Sequence, residues 1–234
     1  MFGVKIRGAW VLRDLLSRLT RGKLSLDMTI KHLMEYFGTD EYGHQANLKK
    51  ADIGYGWIHY GIVRAIKPKR VLCIGSRYGY IPAVLAQACK DSGTGFVDFV
   101  DPGYDPKDKN HWTGVGYWKT EKGKECFSNF GLGEWIALYV MTTSEFVKKS
   151  KKKYGYIYID GDHSYKGVSL DYKLLWPRLM DFGFMVFHDV NITDQMPEGI
   201  YGVHKLWKKI ANKQAFILPF KGSGLGAIQK VPQK

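Results

Sequence analysis

From Arg70 onward the chain alternates between apolar runs and amphipathic stretches. The apolar runs lie at 71–74, 96–100, 135–140, 156–159 and 183–187, with helical spacing between them near 80–90, 119–130, 143–152 and 166–180. Short continuous apolar runs fit strands buried on both faces, and strands alternating with helices predict a parallel sheet covered on both sides. A further helix, about 200–211, precedes two short runs at 215–219 and 225–229, joined by Phe220-Lys-Gly-Ser-Gly224. That connection is short enough for a hairpin, so the last strand is predicted to be antiparallel. The expected class is α/β, a doubly wound and mostly parallel sheet with an antiparallel last strand plus N-terminal helices. The expected division is a helical extension over 1–50 and one domain over 51–234.

Upstream of the alternation, 28–37 and 56–66 read as helices. Residues 7–20 read as another, with Trp10, Val11, Leu15, Leu16 and Leu19 on one stripe and Lys5, Arg7, Arg13, Arg18, Arg21 and Lys23 around it. A basic amphipathic helix of this kind packs on its own domain or on a partner subunit, or lies on an anionic membrane surface. A homo-oligomer built through the N-terminal helices and a peripheral membrane contact are therefore both expectations.

Charge and cysteine content narrow the setting. The formal net charge of +13 makes an acidic partner plausible, whether nucleic acid, anionic lipid or an acidic small molecule. Its densest run, Lys148 to Lys153, falls at the end of a predicted helix, where cations suit the helix dipole. No apolar run approaches the roughly 20 residues needed to span a bilayer, and the first residues lack the apolar block of a secretory signal. Three widely spaced cysteines, Cys73, Cys89 and Cys126, fit neither a disulfide framework nor a zinc site. They read as small buried hydrophobes, and the expected location is cytoplasmic.

Two strand ends carry the candidate chemistry. Tyr156-Ile-Tyr-Ile-Asp-Gly-Asp-His-Ser-Tyr165 and Phe184-Met-Val-Phe-His-Asp189 each run from apolar residues into acids and a histidine. Neighbouring parallel strands would deliver Asp160, Asp162, His163, His188 and Asp189 to the carboxyl edge of the sheet, where ligands bind in such folds. Upstream, Val71-Leu-Cys-Ile-Gly75 closes on a glycine, Ser76-Arg-Tyr-Gly79 follows, and the second strand ends at Asp101. A tight turn, a helix N-terminus and a carboxylate at ribose distance suit a nucleoside cofactor. A dinucleotide wants G-x-G-x-x-G, and here the middle glycine is missing. S-adenosylmethionine has no pyrophosphate and tolerates side chains in that loop.

On these residues the chain resembles the class I S-adenosylmethionine-dependent methyltransferases. More narrowly it is similar to the metal-dependent branch that includes cephalosporin-hydroxylase-like proteins and macrolide-sugar O-methyltransferases. The similarity runs from about Trp57 to Gln229, and Ile159-Asp-Gly-Asp-His-Ser-Tyr-Lys-Gly-Val168 with His188-Asp189 is its most specific part. The resemblance implies a seven-stranded Rossmann-like methyltransferase sheet. It implies that Gly75, Ser76, Tyr78 and Gly79 line the cofactor, that Asp101 binds its ribose, and that Thr143, Ser144 and Glu145 lie near the adenine. It also implies that Asp160, His188 and Asp189 hold a divalent cation, usually magnesium, and that His163 is a general base. The position of His188 often carries a carboxylate in this branch. Imidazole suits manganese, iron or zinc better than magnesium, so either the metal differs or Asp160 and Asp189 bind it without His188.

Each residue also has a plainer reading. Asp162 and Ser164 suit the cap of the helix that follows. His188 reads equally as a core histidine bonded to a carbonyl, and Asp171 as a helix-surface group or a support for the site. The long insert from Gly103 to Lys119, with Tyr104, His111, Trp112, Tyr117 and Trp118, is a substrate wall or a packed loop. The leading expectation is a metal-assisted O-methyltransferase acting on a hydroxyl of a sugar, glycan or polyol. The alternatives are an RNA-directed methyltransferase and a non-catalytic binding protein that keeps the fold. An NAD-dependent oxidoreductase is disfavoured by the missing glycine.

Overall fold

The computed structural model describes residues 30–105, 107, 115–196, 199–211, 214–218 and 222–232. The basic stripe over 7–20, and His111 and Trp112 of the insert, lie outside them. Five strands alternate with helices: β1 (Val71–Ile74), β2 (Val97–Val100), β3 (Ile136–Tyr139), β4 (Tyr154–Ile159) and β5 (Leu179–His188). The short strands β6 (Gln195–Met196) and β7 (Gly199–Ile200) form a separate ribbon, and β8 (Ala215–Leu218) and β9 (Leu225–Gln229) close the sequence of elements. The main sheet has seven strands in the order β3-β2-β1-β4-β5-β9-β8. β1 to β5 pair in parallel, whereas β9 runs antiparallel to β5 and β8 antiparallel to β9. This is the predicted doubly wound sheet, with both of its last two strands reversed in their pairing.

The helices are α1, described over 30–36, α2 (Tyr55–Ile66), α3 (Tyr80–Ser92), α4 (Glu121–Asn129), α5 (Thr143–Lys149), α6 (Tyr165–Leu175) and α7 (Val203–Ile210). Side chains alternate across a strand, and that alternation builds two cores. Val71, Cys73, Phe99, Tyr156 and Tyr158 face α1 to α4, whereas Leu72, Ile74, Ile157, Ile159 and Phe187 face α5 to α7. All three cysteines are buried and free. Among the described residues no helix is long and apolar enough to cross a membrane.

The widest departure from the pattern lies between α6 and β5. The helix expected over 166–180 stops at Leu175, because Pro177 cannot donate the next helical hydrogen bond. A 3₁₀ turn, Trp176–Arg178, follows, and β5 starts at once. α5 ends at Lys149 rather than at 152, so of the lysine run only Lys148 and Lys149 lie in its last turn. Lys152 reaches back to the buried Asp98 of β2 at 3.1 Å.

β1 is paired with β2 on one side and β4 on the other, so the crossover direction changes there. The crevice beyond the carboxyl ends of these strands is where an open sheet leaves room for a ligand.

Candidate active site

A cavity of about 550 Å³ occupies that crevice. One wall, at the ends of β1 to β3, starts at Gly75. This residue has φ +75°, and a Cβ there would lie 2.2 Å from the carbonyl oxygen of Asp160, so the turn out of β1 admits only glycine. Ser76 then supplies two contacts: its N–H donates to Asp101 Oδ2 at 3.1 Å, and its hydroxyl accepts from Gly79 N at 3.1 Å. Gly103 N donates to Asp101 Oδ1 at 2.8 Å. Each oxygen of Asp101 thus has one lone pair engaged by the backbone and one free, which is the acceptor set a vicinal ribose diol requires. Burial pushes the Asp101 carboxyl up to about 6, against the pull of these two amides and with a further push from Asp160.

Gly75, Ser76, Tyr78, Asp101, Thr143 and Ser144 all line this cavity. Gly79 sits behind the wall, with φ +95° at the start of α3, where a Cβ would meet Trp118 and Phe37 at 2.9 and 3.1 Å. Its glycine is dictated by aromatic packing beneath the loop. Glu145 closes a capping box instead, accepting from Thr142 N at 2.8 Å.

The opposite wall brings together the acids and histidines of β4 and β5. Asp160 Oδ1 lies 3.1 Å from His163 Nε2 and 3.2 Å from His188 Nδ1. Asp189 Oδ2 lies 2.9 Å from His163 Nδ1, and its Oδ1 lies 3.1 Å from His188 Nδ1. Asp189 holds φ +58°, a left-handed conformation uncommon outside glycine, which turns its carboxylate back toward the cavity. Asp162 stands just outside this group: it accepts from Ser164 N at 2.8 Å, and Ser164 caps α6 through Gly167 N at 3.0 Å. Ser164 is thus the cap, and Asp162 holds the turn that leads into it.

Burial acts against every charge here, and the mutual contacts outweigh it. His188 and His163 hold the Asp160 and Asp189 carboxyls well below the usual range. Burial would lower His163, yet Asp189 and Asp160 raise it to about 10. His188 is raised well above an ordinary histidine by the same two carboxylates. All four shifts run toward the charged form, carboxylate for the acids and imidazolium for the histidines.

His188 has both the carbonyl contact and the site contact. Its Nε2 donates to Gly43 O at 2.9 Å, and Ser223 Oγ lies 3.0 Å away. Nδ1 is buried without a well-aligned hydrogen bond, facing one oxygen of each aspartate. A histidine that ligates a metal characteristically donates its other N–H to a carbonyl in this way. Atoms that share one ion at about 2.1 Å and a right angle stand about 3 Å apart, close to these separations. Among the described residues, the group whose ligand atoms all lie within 4.8 Å of one another is Asp160, His163 and Asp189; His188, the expected ligand, is not part of it, and His163, the expected base, is. The donor set fits a divalent cation, with imidazole favouring manganese, iron or zinc over magnesium.

Several wall residues have no signature in the sequence. Asp40, Gly43 and His44 line the cavity, and His44 stacks near His188 with ring centroids 4.8 Å apart. Burial and the neighbouring His188 push His44 down to about 4, so it is neutral. Asp171 also faces the cavity, and burial raises its carboxyl to about 7, against the Thr143 hydroxyl. From the insert, Trp118 is buried and donates from Nε1 to Ser76 O at 2.7 Å, bracing the cofactor loop. Tyr104 reaches the cavity.

Residues 72–190, just over half of the chain, match the model of a family described as a methyltransferase domain. Among curated protein sequences none matches the chain. Similar solved structures include an O-methyltransferase from Bacillus cereus in complex with SAH, at 14% identity, covering 87% of this chain and 91% of that one, TM-score 0.59. A putative O-methyltransferase from Klebsiella pneumoniae also has 14% identity, with 87% and 90% covered and a TM-score of 0.59. A putative caffeoyl-CoA O-methyltransferase from Staphylococcus aureus has 15% identity, with 93% and 98% covered and a TM-score of 0.57. At such identities the likeness is one of fold. Together with the family match over β1 to β5, it identifies the chain as a member of the methyltransferase-domain family, an S-adenosylmethionine-dependent methyltransferase of the class I fold.

Proposed function

We propose that the protein transfers a methyl group to a hydroxyl oxygen of a sugar, glycan or polyol, assisted by a divalent cation. The observation that carries this reading is the convergence of Asp160, His163, His188 and Asp189 on the cavity that the cofactor loop also lines. The O-methyltransferases among the similar structures support the choice of oxygen as acceptor.

Asp101 holds the ribose, the turn at Gly75-Ser76 and Tyr78 flank the methionine half, and Thr143 and Ser144 border the adenine. S-adenosylmethionine supplies a methyl group on a sulfonium, so that the carbon–sulfur bond breaks as the carbon–oxygen bond forms. Asp160 and Asp189, with His188, would hold the cation, which would lower the pKa of a hydroxyl beside it and offset the two carboxylates next to His163. His163 takes the hydroxyl proton. With a pKa near 10 between two bare carboxylates it is already protonated at neutral pH, so this role needs their charge compensated. The dependence of the base on the cation is the physical reason to read the four groups as one device.

The test is methyl transfer to a panel of sugars and polyols, before and after chelation, with manganese or magnesium restored afterwards. Activity indifferent to chelation removes the cation from the account. The net charge of +13 favours a second reading, methylation of RNA. Its mark is RNA binding that weakens steeply with salt, as phosphate neutralisation requires.

A further inference from the structure

We propose that Tyr158 is a positioning residue for Asp160, its buried hydroxyl fixing which carboxylate oxygen faces the histidines. Tyr158 lies in β4, and Asp160 follows directly on the end of that strand, two residues further on. The Tyr158 hydroxyl donates to Asp160 Oδ2 at 3.1 Å. That leaves Oδ1 as the oxygen beside both His163 Nε2 and His188 Nδ1. The Tyr158 ring is fully buried and packs edge-on against the fully buried His59 at 4.5 Å between centroids. A ring held in this way cannot carry its hydroxyl elsewhere. A carboxylate tied at one oxygen offers a single oxygen to a cation, in one orientation.

The same strand supplies a control. Tyr156 is equally buried on the same face, but its hydroxyl meets His59 Nδ1 at 2.5 Å and takes no part in the site. Tyr156→Phe and Tyr158→Phe each delete one buried hydroxyl, and only the second touches Asp160.

The inference rests on the reading that Asp160 is a cation ligand, and two measurements keep the two ideas separate. The first is calorimetric titration of Mn²⁺ into the full-length wild type and both variants, each saturated with S-adenosylhomocysteine. Groups that orient a metal ligand typically contribute about 10–100-fold to affinity, so Tyr158→Phe is expected to weaken binding by that range. Tyr156→Phe should bind like wild type even if its melting temperature falls. Equal affinity of Tyr158→Phe and wild type, or equal weakening in both variants, overturns the proposal. The second is a pair of metal-free crystal structures, wild type and Tyr158→Phe. The carboxylate of Asp160 is expected to rotate in the variant, taking Oδ1 away from His163 and His188. An unchanged carboxylate there overturns the proposal. If the wild type itself binds no cation, the cation reading fails, and the crystal structures alone decide the role of Tyr158.

Discussion

The two walls of the cavity are made from different materials. The cofactor side, at the ends of β1 to β3, is built from backbone: a glycine with positive φ, two amides on Asp101 and the start of α5. The reaction side, at the ends of β4 and β5, is built from charged side chains that hold one another. Backbone donors keep their charge whatever their neighbours do, so the first wall depends little on titration, apart from the push that Asp160 gives Asp101. On the second wall burial and the two histidines set each carboxylate, and burial and the two carboxylates set each histidine, so removing one group changes the state of its partners. Binding of the donor and chemistry on the acceptor should therefore fail separately.

The largest expected effect lies on the reaction side. His163→Ala should lower turnover by about 10²–10⁴-fold while leaving affinity for S-adenosylhomocysteine unchanged. Near-normal turnover in that variant would remove His163 from the mechanism. The reverse separation is expected from Asp101→Ala. Loss of hydrogen bonds to a charged acceptor should weaken S-adenosylhomocysteine by about 10–100-fold, read by calorimetry, with cation affinity preserved. A parallel fall in both affinities would break the comparison between the walls.

The pH response sharpens it. His163 and His188 are raised by the two carboxylates, so in the cation-free protein they keep their protons across the neutral range and must release them as a cation binds. Cation affinity should rise with pH across the neutral range, by about tenfold per unit for each proton displaced. Affinity for S-adenosylhomocysteine should change far less above pH 7, because the Asp101 carboxyl, at about 6, is by then ionised.

The smallest effect concerns stability. Asp171 has a folded pKa raised to about 7, so the folded state binds its proton more tightly than the unfolded chain does. Its contribution is fully present below the ordinary carboxylate value and is lost as pH rises through about 7. Asp171→Asn should melt several degrees higher than wild type at pH 8 and show no gain at pH 4. A gain of equal size at both pH values would mean that burial of the charge is not the cause.

Legibility in the sequence follows the same division of materials. Buried parallel strands must be apolar throughout, so β1, β2 and β3 stand out as runs within a residue of their observed ends. Asp160, His163 and Asp189 were visible because their strands end in polar residues that a core would not accept. The ribbon of β6 and β7 was not visible, since two-residue strands carry no periodicity. Nor were the contacts made from a distance. Gly43 O meets His188 across 145 positions, and nothing in a glycine announces that its carbonyl will fix a histidine. The Tyr158 hydroxyl reads as one more aromatic in an apolar strand. Nor does the sequence show that two carboxylates flank His163 and, against burial, raise its pKa to about 10. Gly79 matched a motif position but faces Trp118 and Phe37 rather than the cavity.

The central claim is that the four groups beyond β4 and β5 form one cation-dependent device beside the methyl donor. The most direct measurement is calorimetric titration of Mn²⁺ into wild type and Asp189→Asn at pH 8, both saturated with S-adenosylhomocysteine. The account predicts one-site binding with proton release in the wild type, and its loss in Asp189→Asn with the donor site intact. No cation binding in the wild type, or equal binding in both proteins, would contradict it.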